Sequence, residues 1–268
     1  MLVEKDDLAA HTSSASSKLI HGGLRYLEQW DFKLVRESLG ERERLLRAAP
    51  HIVRPLEFVL PLARSPRPAW MIRAGLFLYD HLGARELLPA SRAIRLDGDL
   101  RGNGLQPGDP RAFTYWDCRA QDSRLVVLNA IDAAERGATV LTRTELVEAR
   151  REGRRWRARM RSEGTERTVT AGALVNVAGP WAGDLFDRID GAKARQPIRL
   201  VKGSHIVVPR LYAGEHAFIL QNADGRVVFA IPFEDEFTLV GTTDVDLSGP
   251  PTEARIGEDE IEYLLDSV

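Results

Sequence analysis

The sequence predicts an α/β protein that carries a second, mostly antiparallel sheet. Three observations lead there. A helical pattern over 124–136 ends at Gly137 and runs directly into A-T-V-L-T at 138–142. Helix, glycine, strand is the order of a crossover into a parallel sheet. L-V-N-V-A-G-P-W at 174–181 reads as a buried strand ending in a tight turn into a helix. From Ile198 onward short strands follow one another at 198–201, 205–209, 217–221, 227–232 and 238–243, the pattern of an antiparallel sheet.

Composition bounds the function classes. The chain has 268 residues, 44% hydrophobic and 28% charged, which suits an ordinary globular protein with one or two domains. A formal net charge of −2 argues against nucleic-acid binding through bulk charge. The single cysteine, Cys118, excludes an internal disulfide and a cysteine-based metal cluster, and it fits a reducing compartment. No apolar run approaches the ~20 residues of a membrane span, and the first residues lack the order of a signal peptide.

Taken in order, residues 1–3 followed by Glu4 read as the end of a buried strand closed by a carboxylate. In dinucleotide-binding folds such a carboxylate accepts hydrogen bonds from the adenosine ribose. Asp31 caps a helix over 32–49, with Leu34, Leu39, Leu45 and Leu46 as its apolar side and the run E-R-E-R at 41–44 as a solvated face. Pro50 stops it. Residues 52–62 form one strand. A helix over 66–83 follows, with Pro68 in its first turn and Trp70, Met71, Ile72, Leu76, Phe77, Tyr79 and Leu82 around most of its circumference. Arg64, Arg67, Arg73 and Arg85 flank it, so it either lies on a membrane surface or is buried against the substrate domain. Residues 98–110 form a Gly/Pro-rich loop. Asp122 or Ser123 caps the 124–136 helix, which turns Leu125, Val126, Leu128, Ile131 and Ala134 inward. Residues 147–160 and 167–170 are antiparallel strands with a turn at Gly153, and 258–265 starts a last helix.

One stretch stands apart, T-S-S-A-S-S-K-L-I-H-G-G-L-R-Y-L at 12–27. Serine is a poor interior helix former and a good donor to nearby groups. Gly22 and Gly23 let backbone approach a flat or charged ligand, and Lys18 and Arg25 add positive charge. Such a surface suits phosphates and a polar ring edge; a Ser-rich loop that merely caps a helix is the alternative.

That stretch resembles the signature of the FAD-dependent, quinone-linked glycerol-3-phosphate dehydrogenases. Further blocks agree in order: R-P-A-W-M-I-R at 67–73, Y-D-H-L-G at 79–83, N-V-A-G-P-W at 176–181, K-G-S-H-I-V-V-P-R at 202–210 and G-T-T-D at 241–244. The resemblance implies an FAD-binding Rossmann-like domain of the glutathione-reductase/D-amino-acid-oxidase type, lacking its first βα unit, over 1–50 and 117–190. A substrate domain would take 51–116 and 191–268. The piece is expected to be shortened at both ends, without the Gly-rich turn and without later substrate-binding residues.

The resemblance further implies oxidation of sn-glycerol 3-phosphate to dihydroxyacetone phosphate on FAD, with electrons passed to quinone. It implies a cytoplasmic protein held peripherally on the inner face of the membrane, and it admits a homodimer. Cofactor contacts fall on Glu4, Thr12, Ser13, Ser16, Ser17, Lys18, Leu19, His21, Gly22, Gly23, Leu146, Ala178, Gly179 and Trp181. Arg25 and Tyr26 would hold the substrate phosphate, since a guanidinium fork matches phosphate oxygens. His205 would orient the substrate and take the hydroxyl proton. The remaining histidines lack ligand spacing, so no metal is expected. A flavin oxidase of the same fold acting on an amine or a 2-hydroxy acid, or a non-catalytic fragment unable to hold FAD, are the alternatives.

Overall fold

The computed structural model describes residues 1–83, 85–190 and 198–268. The domain boundary expected at 190/191 meets residues outside that description. In chain order, β1 (Leu2–Val3) and β2 (Leu19–Ile20) precede helix α1 (Phe32–Ala48). Asp31 starts α1 by accepting the Leu34 N–H at 3.1 Å, and the helix ends two residues before Pro50. β3 (Val53–Pro61) and α2 (Ala69–Leu82) follow, then β4 (Arg92–Arg95) and β5 (Arg111–Ala120). α3 (Asp122–Glu135) stops at Gly137, whose φ of +93° lets its N–H and that of Ala138 turn back to the Ala134 and Ala133 carbonyls. Next come β6 (Val140–Leu141), β7 (Thr144–Glu152), β8 (Arg155–Ser162), β9 (Thr165–Ala171) and α4 (Ala182–Phe186). The chain continues through β10 (Val201–Lys202), β11 (His205–Pro209), β12 (Ala217–Gln221), β13 (Val227–Phe233), β14 (Phe237–Gly241), β15 (Val245–Asp246) and α5 (Glu258–Ser267).

Contacts divide the chain into two compact units. The first comprises Met1–Ser16, Asp122–Val201 and Asp246–Ala254. In it β1 runs parallel to β6, the crossover expected from helix, glycine and strand. β7, β8 and β9 form an antiparallel meander. Ala149, Ala158 and Ile189 centre its core, flanked by Leu146, Trp156, Val169, Leu174 and Leu185.

Three expectations need correction in this unit. β1 is not buried: Leu2 is exposed, because β1 has one strand neighbour. Ile131 and Ala134 of α3 face water, and no residue of that helix is fully buried. It packs mainly on the single turn Thr12–Ser14 and on the two-residue β6, too little surface to cover a whole helical stripe. Residues 174–178 are not a strand; Val175 and Val177 are 74% and 79% exposed. A strand needs a partner for its N–H and C=O groups, and among the described residues none pairs there. The tight turn into a helix is present, as a 3-10 turn Gly179–Trp181 leading into α4.

The second unit comprises Ser17–Gln121, Lys202–Val245 and Arg255–Val268. Its sheet runs β11-β14-β13-β12-β3-β5-β2, with β4 also on β5. The β12–β3 pair is parallel and the others are antiparallel. One face of this sheet is covered by α1 and α2 through Val35, Leu39, Ile72, Leu76 and Tyr79, packed against Phe58, Tyr115 and Ile219. Leu264 of α5 packs with Val228 and Val240.

Here too the sequence reading is corrected. Val35 rather than Leu34 lines the inner side of α1, and Leu34 is 38% exposed. Arg42 and Glu43 are 2% and 3% exposed, so only Glu41 and Arg44 of the 41–44 run form the expected solvated face. Val35, Leu39 and Leu46 define the inward stripe, and helical periodicity puts Arg42 on it. Helix α2 buries only Ile72, Leu76 and Tyr79 and leaves Trp70, Met71, Phe77 and Leu78 exposed. The first late strand begins at Val201, not at Ile198.

Candidate functional site

In the second unit the Ser-rich stretch enters β2 and then turns sharply. Lys18 adopts φ +56° and Gly23 φ +73°, left-handed values that favour glycine at the second position. Gly22 is buried. A Cβ there would lie 2.6 Å from the Tyr79 hydroxyl and closer still to Leu39, so no larger residue fits. The Gly22 N–H donates to Tyr79 Oη at 2.7 Å and makes a longer contact with Asp117 Oδ1 at 3.3 Å. The Tyr79 hydroxyl donates to Asp117 at 2.8 Å, and Arg42 donates to the same carboxylate at 2.6 Å and to the Trp116 carbonyl at 3.0 Å. Glu43 closes the network against Arg42 and takes the Leu87 N–H at 3.1 Å. Desolvation raises the Asp117 carboxyl pKa against the pull of Arg42. A buried, hydrogen-bonded system therefore underlies the Gly22-Gly23 backbone.

His205 opens β11, opposite Gly241 of β14. A side chain at Gly241 would meet the imidazole, with Cγ of His205 at 2.8 Å from its Cβ. Ser17 Oγ lies 2.8 Å from His205 Nε2. The first residue of β11 and the Ser-rich stretch, 188 positions apart, are thus in hydrogen-bond contact. Burial lowers the His205 pKa and the nearby Lys18 charge adds to it, so the neutral ring is favoured.

Of the other residues singled out in this unit, His21 is exposed and accepts the Gly23 N–H on Nδ1 at 3.0 Å. Tyr26 lays its ring against Gly23 and is 41% exposed. Arg25 is exposed, and its guanidinium has no ion pair among the described residues. Arg67, by contrast, is bound by Glu28 and by Gln221. Leu19 sits in β2, opposite Arg119.

In the first unit Glu4 uses Oε1 on the Asp6 N–H at 2.9 Å, and its backbone joins Leu141 and Thr144. Thr12 and Ser13 lie in the single turn Thr12–Ser14, and Ser16 donates to Asp122 at 2.9 Å. The Trp181 ring is flanked by His11, 4.7 Å between centroids, and by the Lys5 ammonium at 4.4 Å. Ala178 donates to Asn176 Oδ1 at 3.2 Å; Gly179 follows with φ +53° and open space where a side chain would be. Leu146 lies beside a register shift in β7. No cluster of metal ligands occurs among the described residues.

Sequence reasoning missed Tyr79, Asp117, Arg42 and Glu43 as supports of the glycine turn. Tyr79 lies in the quoted Y-D-H-L-G block, the one signal that was available.

The chain matches the FAD dependent oxidoreductase family over residues 1–268. It is 58% identical to a glycerol-3-phosphate dehydrogenase of Pseudomonas aeruginosa over all of this chain and 52% of that protein. It is 51% identical to the aerobic glycerol-3-phosphate dehydrogenase of Escherichia coli over 99% of this chain and 53% of that protein. A D-erythritol 1-phosphate dehydrogenase of Brucella abortus is 50% identical over the whole chain and 54% of its own length. The chain therefore spans about half the length of these relatives. Among solved structures, the glycerol-3-phosphate dehydrogenase of Bacillus halodurans complexed with FAD superposes with a TM-score of 0.74 at 25% identity, over 99% of this chain and 46% of that one.

Proposed function

The chain belongs to the FAD dependent oxidoreductase family, and from that premise we propose that the protein oxidises sn-glycerol 3-phosphate to dihydroxyacetone phosphate on FAD and passes the electrons to quinone. The observation that carries this reading is the 2.8 Å hydrogen bond between Ser17 and His205. It joins the cationic, serine-lined turn to His205, the histidine read as the proton acceptor.

The donor set fits a flat ligand bearing phosphates. Hydroxyls line residues 12–17, Lys18 supplies charge, and the exposed Gly179 corner leaves room for close approach. The residues proposed to contact FAD are Glu4, Thr12, Ser13, Ser16, Ser17, Lys18, Leu19, His21, Gly22, Gly23, Leu146, Ala178, Gly179 and Trp181. When bound, the flavin supplies the acceptor for the hydride.

The chain's own residues do the rest. Arg25, which has no carboxylate partner among the described residues, offers its fork to the substrate phosphate, with the Tyr26 hydroxyl beside it. His205, kept neutral by burial, takes the proton of the secondary hydroxyl. Ser17 holds the ring in orientation. No helix among the described residues is long and apolar enough to cross a membrane. The exposed Trp70, Met71 and Phe77 of α2 support a peripheral place on the inner membrane face of a cytoplasmic protein, within reach of quinone.

The Brucella abortus relative favours a second reading, oxidation of a longer polyol phosphate such as D-erythritol 1-phosphate. Steady-state assays of the full-length protein with both substrates and a quinone analogue separate the two. Arg25→Ala should raise KM for the phosphate substrate about tenfold to a hundredfold, the worth of lost charged hydrogen bonds. An unchanged KM removes Arg25 from the phosphate site.

A further inference from the structure

Glu260 lies in the first turn of α5 and is 4% exposed. Its Oε1 accepts from the Thr243 hydroxyl at 2.6 Å and from the Ser204 hydroxyl at 3.0 Å. Its Oε2 accepts the Gly257 N–H at 2.8 Å and the Lys202 ammonium. Thr243 Oγ1 in turn accepts the Ser204 N–H at 2.9 Å, and the Ser204 carbonyl accepts the Thr243 N–H at 3.2 Å. Ser204 immediately precedes His205 in the chain.

A helix cap would need only the bond to Gly257. Glu260 commits its other oxygen to the two residues that fix the backbone entering β11. A buried carboxylate without partners is costly. Here desolvation is outweighed by the bonds from Lys202, Thr243, Gly257 and Ser204, which hold the carboxyl at about 2, so it is charged at working pH. Lys202, Ser204, Thr243 and Glu260 form one connected set, and the Ser204–His205 peptide links it directly to the site.

We propose that Glu260 is a positioning residue, which clamps Ser204 and Thr243 and thereby aims the His205 ring at Ser17. The inference rests on the reading of His205 as the proton acceptor, and its test does not depend on which substrate is used. Glu260→Gln keeps the volume and removes the charge. In the full-length, FAD-loaded protein with selectively labelled histidine, NMR follows the titration of the His205 ring, with His205→Gln identifying its signal.

In Glu260→Gln the ring should leave its desolvated place and titrate closer to an ordinary histidine. The acidic limb of kcat/KM should move upward in pH with it. kcat should fall about tenfold to a hundredfold, the cost of a small misplacement at a reacting centre, while KM hardly changes. A folded Glu260→Gln protein whose His205 titration is unmoved overturns the proposal, whatever its activity. Should Glu260→Gln fail to fold, Ser204→Ala combined with Thr243→Val severs the same connection, and the same two outcomes decide. If glycerol 3-phosphate is not turned over, the reading of function fails while the His205 titration still tests the clamp.

Discussion

The backbone N–H of Gly22 donates to the hydroxyl of Tyr79 at 2.7 Å, from a position so closely packed that no side chain can occupy it. The glycine turn is therefore held from beneath by helix α2. Tyr79→Phe leaves that N–H with only the longer contact to Asp117 and takes one donor from a buried carboxylate. It should cost about 1–3 kcal/mol of stability, read as a lower denaturation midpoint. Gly22→Ala should cost a similar ~1–3 kcal/mol by overpacking against Leu39. An unaltered midpoint in both would mean that the turn is not supported in this way.

Arg42 and Asp117 are bonded at 2.6 Å with both side chains almost fully buried. Arg42→Leu should be strongly destabilising, about 3–5 kcal/mol, because it strands the Asp117 carboxylate. Adding Asp117→Asn to it should restore part of that loss. Chemical denaturation of the single and double variants checks both signs.

The neutral His205 sets a direction with pH. Its pKa is lowered in the folded protein, so as pH falls below the ordinary histidine value of ~6.5 the unfolded chain binds the proton first. Stability should therefore fall with decreasing pH from about 6.5 down to the folded pKa, and be insensitive to this group above that window. His205→Gln should flatten this part of the curve, seen in thermal unfolding at a series of pH values. A curve unchanged by the substitution would show that the ring is not held neutral by burial.

Much of the fold was legible in the sequence. Asp31 and Pro50 bracket α1 because a cap and a missing N–H act locally. The 122–142 crossover and the late antiparallel strands were likewise readable from Gly137 and from alternation. Residues 174–178 were misread because Val175 and Val177 have strand propensity, while a strand also needs a neighbour that no local signal announces. Arg42 and Glu43 were misread for a related reason. Charge predicts exposure on average, yet their burial depends on Asp117, 75 positions from Arg42, and on the Leu87 backbone. The residues 12–27 and His205 could each be singled out as chemically unusual, but their mutual contact is a property of the folded sheet.

That contact has a geometric corollary. Ser17 stands just outside β2 and His205 begins β11, the first and last strands of a seven-strand path. Laid flat at the usual interstrand spacing, those edges would be ~29 Å apart. A 2.8 Å hydrogen bond between them requires the sheet to roll up until its margins meet. The twist contributed by the intervening strands then converges on one gap, the one that the Ser17–His205 bond closes.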